Sequence, residues 1–372
     1  MTRLSNTYGA INLAQGYPDF PAPTELKEAA KKAINEDYNQ YAITWGSPRL
    51  REAIAEKVKR FNGIDAKPDE NITVTCGATE AMMASLLALV NPGEEVVIFE
   101  PFYENYGPDA IVSGARPRFV HVDEHSFRID PEAVKNAFTK KTRAIILNTP
   151  NNPLGKVFSH DELSLIADLC SDHEVYAVTD EVYEHIVYDG KSHISIATLP
   201  GMRDLTVTIS AASKTYSVTG WRVGWAIAAK EVTSAIKRVH DFLTVGSQAP
   251  LQEAVASALR YPDAYYRELA SMYARKRDLM FGLLEDVGFK AFKPNAAYYI
   301  MTDFTPFGFD DDVEFARYLV KEVGVASVPG TSFYYHKERG RTKVRFMFSK
   351  RDETLAEAGD RLSKLKEMRR SG

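Results

Sequence analysis

The sequence predicts an α/β protein, with a mostly parallel sheet sandwiched by helices and a smaller α+β part after it. Three observations carry this. From Asn71 onward, short β-branched runs recur at 72–75, 96–99, 118–122, 144–147, 175–178, 205–209 and 223–228. Helical or loop segments separate them, the pattern that a parallel, doubly covered sheet leaves in a chain. At 372 residues the chain is long for a single core, so two domains are expected. The pattern also changes after Pro262, where a helical run to Val287 is followed by strands near 298–302, 325–328 and 343–348.

Taken in order, the first 23 residues are expected to be an irregular arm, with Pro18, Pro21 and Pro23 around an Asp-Phe turn. A helix follows over 24–34. Ser47 before Pro48 is a cap followed by a first-turn proline, which starts a helix over 49–61. The small-residue turn Cys76-Gly77-Ala78-Thr79-Glu80 leads into an apolar helix over 81–90. Ser159 with Glu162 forms a capping box ahead of an amphipathic helix ending near Asp172. At the end, Lys364, Lys366, Arg369 and Arg370 suit the C-terminus of a helix.

Composition narrows the function classes. With 45% apolar residues, 26% charged residues and a net charge of −4, nothing favours nucleic acid or an anionic membrane as partner. The two cysteines, Cys76 and Cys170, form no CxxC or Cys/His cluster. Neither a disulfide framework nor a structural zinc site is expected, and a reducing cytoplasm is the expected location. No stretch has the apolar length of a signal peptide core or a membrane span.

The chemistry centres on ISAASKTYSVTGWRVGW, residues 209–225. Lys214 stands among small and hydroxylated residues just past a strand, where a lysine that loses its proton can form a Schiff base with a carbonyl. Arg222, set nearby, has the donor fork that grips a phosphate dianion. An aldehyde and a phosphate on one ligand describe pyridoxal phosphate. Other strand ends supply what the rest of that molecule needs. Gly77, Ala78 and Thr79 lead a helix whose N-terminus offers backbone N–H groups to a phosphate. Tyr103 is a flat aromatic able to stack on a ring. Asn152 is confined by prolines and can present its amide to a phenolate oxygen, which Tyr183 could share. Asp180 ends a buried strand, where a carboxylate is costly unless it meets a cation such as a protonated pyridine nitrogen. Each segment alone also reads as ordinary: a solvated Ser-Lys-Thr loop, a Pro/Asn turn, a packed aromatic, a helix-capping aspartate. Their conjunction on one sheet favours the cofactor.

At this point the chain resembles the class I aminotransferases of pyridoxal phosphate fold type I, and within them the kynurenine/glutamine/methionine transaminase group. The resemblance rests on NLAQGYPDFP (12–21), NTPNNPLGKVFS (148–159), DEVYEHIVYDG (180–190), SKTYSVTGWRVGW (213–225) and the VRFMFS run (344–349). It implies that Lys214 bonds the cofactor aldehyde and moves the proton at the substrate α-carbon, that Asp180 pairs with the pyridinium, and that Asn152 and Tyr183 bond the phenolate oxygen. It implies further that Tyr103 stacks on the ring and that Gly77, Ala78, Thr79 and Arg222 hold the phosphate. Tyr41 matches the tyrosine that reaches a neighbouring subunit's phosphate, which implies a homodimer. Arg345 matches the clamp on the substrate α-carboxylate, with Gly16, Tyr17 and Asn152 beside it. Residues 35–265 would form the larger domain, and 1–34 with 266–372 the smaller. Departures concern mainly the substrate side. Ala211 stands where many relatives carry a phosphate-binding serine, Thr79 replaces a tyrosine common in the subgroup, and Ser247 and Gln248 stand where kynurenine enzymes bring aromatic and histidine side chains.

The expected activity is transfer of the amino group of an α-amino acid, neutral, aromatic or sulfur-containing, to a 2-oxo acid by a ping-pong mechanism. Two alternatives stay open. The same cofactor site could run β-elimination on a cysteine conjugate. A transaminase-like domain could also serve as a ligand sensor in a transcriptional regulator, which would need a DNA-binding segment for which no length is expected ahead of Tyr41.

Overall fold

The computed structural model describes residues 1–366. Seven strands form the central sheet: β1 Ile72–Thr75, β2 Glu95–Glu100, β3 Arg116–His121, β4 Thr142–Asn148, β5 Tyr176–Asp180, β6 Thr206–Ala211 and β7 Gly224–Ile227. Each expected run is present, its ends shifted by no more than two residues. The spatial order is β1-β7-β6-β5-β4-β2-β3, and β7 alone runs against its neighbours. Both faces are covered, which is why the strands read as continuous apolar runs. Along β4, Ile145 and Leu147 pack with Leu163 and Ile166 of the helix His160–His173 on one side. Ala144 and Ile146 face Ala81 and Leu86 of the helix Ala78–Leu89 and Ile236 of Lys230–Thr244 on the other, the two-residue alternation of a strand.

The smaller part is a four-stranded antiparallel sheet in the order Val328–Pro329, Lys343–Met347, Tyr299–Asp303, Lys290–Ala291. The 25-residue helix Asp263–Val287 and the helix Asp352–Leu362 pack on it through Met280, Leu284, Leu355 and Phe346. Among the described residues no helix is long and apolar enough to cross a membrane, and both cysteines are free.

Several local expectations are corrected. The first 23 residues are not wholly irregular. Thr2–Tyr8 is a helix ended by Gly9 in the left-handed region, and Ile11–Asn12 is a strand parallel to Val325–Ala326. That strand's partner lies more than 300 residues away, so no local pattern announces it. The stretch 325–328 is two strands rather than one. Val325–Ala326 takes this N-terminal partner, whereas Val328–Pro329 joins Lys343–Met347. The helix opened by Ser47, whose hydroxyl accepts the Leu50 N–H, ends in a π-turn over Val58–Asn62 closed by Gly63 at φ 75°. The Ser159–Glu162 capping box forms as expected. Of the basic residues near the end, Lys364 and Lys366 follow the helix Asp352–Leu362, and Arg369 and Arg370 lie outside the described residues.

Candidate active site

The carboxyl ends of β1, β2, β4, β5 and β6 converge on one cavity, where open parallel sheets bind ligands. Ala78, Thr79, Tyr103, Asn152, Asp180, Tyr183, Lys214 and Arg222 all line it. Gly77 is not among the lining residues but precedes Ala78, at φ 83°, as the side-chain-less N-cap of the helix Ala78–Leu89. A Cβ there would lie 2.4 Å from Nη2 of Arg222, so only glycine lets the guanidinium lie against the helix N-terminus. Arg222 itself sits at φ 52°, and its Nη1 donates to the Thr219 carbonyl at 2.9 Å.

Asp180 is buried at the end of β5. Its Oδ2 accepts the Tyr106 hydroxyl at 2.8 Å, and Oδ1 the Val182 N–H at 3.3 Å. Among the described residues no cation forms an ion pair with it. Desolvation raises its pKa, against the opposing pull of these two donors and of Lys214. Burial and the charge of Asp180 also push Asp109 up to about 7. Lys214 Nζ donates to the Gly16 carbonyl at 3.2 Å and lies 5.9 Å from the ring centres of both Tyr183 and Tyr298.

A second cavity adjoins the first and shares Tyr103, Asn152, Lys214, Arg222 and Tyr299 with it. Gly16, Tyr17 and Arg345 line this one. Arg345 is buried between the rings of Tyr299 (4.2 Å) and Phe333 (4.6 Å). Its Nη1 donates to Asn152 Oδ1 at 2.7 Å and its Nη2 to the Ala14 carbonyl at 2.8 Å, while Nε, also buried, has no partner among the described residues. Because a guanidinium only donates, this contact fixes the Asn152 oxygen toward Arg345 and turns the amide Nδ2 elsewhere.

Residues 8–362 match the family profile described as aminotransferase class I and II. The chain belongs to that family. This aminotransferase is 39% identical to a Mycobacterium tuberculosis protein described as probable N-succinyldiaminopimelate aminotransferase DapC, over 99% of this chain and 95% of that one. It is 36% identical both to human kynurenine–oxoglutarate transaminase 1 and to the methionine aminotransferase of Escherichia coli, each over 98% of this chain and 94% of the relative. The solved structure of N-succinyldiaminopimelate aminotransferase from Mycobacterium tuberculosis superposes with a TM-score of 0.96 at 40% identity, covering 98% of this chain and 96% of that one.

The fold is thus that of the fold type I aminotransferases, and the cofactor of this aminotransferase is pyridoxal phosphate. The cavity suits it on two counts. Asp180 is a buried carboxylate with hydrogen-bond donors but no ion-pair partner among the described residues, the state expected of a group that awaits a cation on a ligand. The uncapped helix N-terminus beside Arg222 is a seat for a dianion.

The structure also brings in residues that the sequence reading missed. Tyr106 bonds Asp180, Asn148 Oδ1 accepts the Asn152 backbone N–H at 2.7 Å, and Tyr299 bonds Tyr183 hydroxyl to hydroxyl at 2.9 Å. A signal for Tyr106 existed, since it lies three residues past Tyr103 in the same strand-end segment. Tyr41 is not brought to this cavity: it is 88% exposed on the surface.

Proposed function

We propose that this aminotransferase moves the amino group of a neutral, aromatic or sulfur-containing α-amino acid to a 2-oxo acid in two half-reactions through one site, the first oxo acid leaving before the acceptor binds. The supporting observation is the placement of Lys214 and the unpaired Asp180 carboxylate on one cavity that opens directly onto Arg345.

When bound, pyridoxal phosphate supplies the aldehyde that takes the amino group and a cationic ring that accepts the electrons of the substrate α-carbon. Asp180 holds the proton on the ring nitrogen, and Tyr106 and the Val182 N–H hold Asp180 in place. Asn152 Nδ2 and the Tyr183 hydroxyl donate to the phenolate oxygen, and Tyr103 covers the ring face. The N–H groups at Gly77, Ala78 and Thr79, with Arg222, hold the phosphate. Arg345 binds the substrate α-carboxylate bidentately in a water-poor setting between two aromatic rings. The Lys214 amine then moves the proton at the α-carbon, steadied by the Gly16 carbonyl.

For the side chain, Tyr17, Tyr103 and Tyr299 make much of the outer cavity wall, and its side-chain cations, Lys214, Arg222 and Arg345, all have other tasks. No side-chain cation among the described lining residues is left for a second carboxylate, which favours neutral donors. The exposure of Tyr41, with exposed Ile43, Trp45 and Phe242, supports a homodimer in which Tyr41 reaches the partner's phosphate. Two measurements test this reading. Lys214→Ala should lose turnover together with the absorbance that marks the cofactor as covalently bound to the protein. A donor panel following formation of the pyridoxamine form should rank methionine and aromatic amino acids above aspartate and N-succinyldiaminopimelate. The reverse ranking would sink the substrate assignment.

A further inference from the structure

Beside the turn Cys76–Thr79 lies a pair, His240 and the half-buried Glu80, that takes no part in the chemistry above. Glu80 stands in the first turn of the helix Ala78–Leu89. Its Oε2 accepts the Cys76 backbone N–H at 2.5 Å, and Oε1 accepts the Thr244 hydroxyl at 3.0 Å. The same Oε1 is 2.5 Å from Nδ1 of His240. The other ring nitrogen, Nε2, is 2.8 Å from the Thr44 carbonyl. A carbonyl only accepts, so Nε2 carries a proton. Nδ1 faces the Glu80 carboxylate, which only accepts, and the Thr244 hydroxyl at 3.2 Å, whose proton goes to Glu80, so Nδ1 too is a donor and His240 is an imidazolium. The ring is fully buried. Burial opposes that charge, but the Glu80 carboxylate outweighs it and holds the imidazole above its usual range.

The position of Glu80 raises a physical question. Its carboxylate clamps the turn by the Cys76 N–H, yet it places a negative charge at the helix end where a dianion would sit. A bare carboxylate there would repel phosphate. We propose that His240 is a positioning residue which neutralises Glu80, so that Glu80 can hold the Cys76–Thr79 turn in shape without opposing the cofactor's phosphate. Through its Nε2 bond to Thr44, His240 also ties the phosphate turn to the segment that carries Tyr41. The inference rests on the reading that Gly77, Ala78 and Thr79 hold the phosphate.

The test compares binding of pyridoxal phosphate with binding of pyridoxal, which lacks the phosphate, to the full-length cofactor-free protein. In His240→Phe the dissociation constant for pyridoxal phosphate should rise at least about tenfold, ~1.4 kcal/mol. That for pyridoxal should stay within about twofold, since the opposing charge acts only on the phosphate. Adding Glu80→Gln to His240→Phe removes the unneutralised charge and should recover most of the lost affinity. If His240→Phe does not fold, His240→Gln, which keeps a donor without the charge, should show the same selective loss. Equal weakening of both vitamers, no weakening, or no recovery in the double variant would overturn the proposal. A wild-type protein that bound both vitamers equally would instead overturn the phosphate seat on which it rests.

Discussion

Asp180 and Glu184 lie four residues apart on one segment, both buried, and their charges are handled in opposite ways. Glu184 is saturated from within. Lys57 Nζ sits 2.5 Å from its Oε1, Ser210 donates to the same oxygen at 2.9 Å, and Asn62 donates to Oε2 at 2.7 Å. Burial pushes its pKa up, but the Lys57 ammonium, aided by the imidazoles of His185 and His193, overrides this and brings it down to about 2. Asp180 has hydrogen bonds but no ion pair among the described residues, and burial leaves its pKa raised. Two carboxylates with the same burial thus differ in what completes them. Glu184 is completed by the protein and belongs to its architecture. Asp180 meets no cation among the described residues, and incomplete charges of this kind are candidates for ligand sites.

Substitution should separate the two. On the function proposed above, Asp180→Asn removes the partner of the ring nitrogen, a loss of roughly 2–5 kcal/mol for a buried charge pair. kcat/KM should then fall about 30-fold to several thousand-fold, while the cofactor-free protein unfolds at the same temperature or higher. Wild-type activity in this variant would erase the contrast. Glu184→Gln should do the reverse. It strands the Lys57 ammonium in the interior and should cost about 3–5 kcal/mol of stability, read by chemical denaturation. Replacing Lys57 by Met in the same chain should restore much of it, and a loss below about 1 kcal/mol would show that Lys57 finds another partner.

The same pair predicts the acid limb. The folded-state pKa of Glu184 is depressed, so its contribution is complete above its ordinary value of 4.5 and is lost as pH falls toward about 2. Stability of the wild-type protein should therefore drop by roughly 3 kcal/mol more than that of Glu184→Gln across this window. Parallel acid limbs for the two proteins would contradict the assignment.

How much of this could be read from the chain depended on whether a residue's partner was local or distant. The seven strands were legible because a sheet covered on both faces writes apolar runs into the sequence. Asp180, Asn152 and Lys214 were legible because polar residues at the ends of such runs conflict with burial unless a ligand meets them. The strand Ile11–Asn12 was not, since only its pairing with Val325–Ala326 makes it a strand. Glu184 and Lys57 gave no signal either: their ion pair joins a strand-end segment to a helix 127 residues away in sequence. Arg345 was reached through resemblance, and only folding shows its surroundings, with Tyr299 and Phe333 on its faces and Asn152 fixed by its Nη1.

The mildest test concerns Tyr106, which sharpens the contrast without removing either carboxylate. Its hydroxyl is the nearer of the two donors that Asp180 has, at 2.8 Å against 3.3 Å for the Val182 N–H. Tyr106→Phe keeps the ring in its edge-on contact with Tyr103 and deletes only that donor. A hydrogen bond to a charged group contributes about 1.5–3 kcal/mol, so kcat/KM should fall about tenfold to a hundredfold, with the protein still folded and still binding cofactor. The effect should shrink to about twofold or less when Asp180 is already Asn, because the two residues act as one unit. Additive losses in the double variant would mean that Tyr106 serves the site by a route other than Asp180.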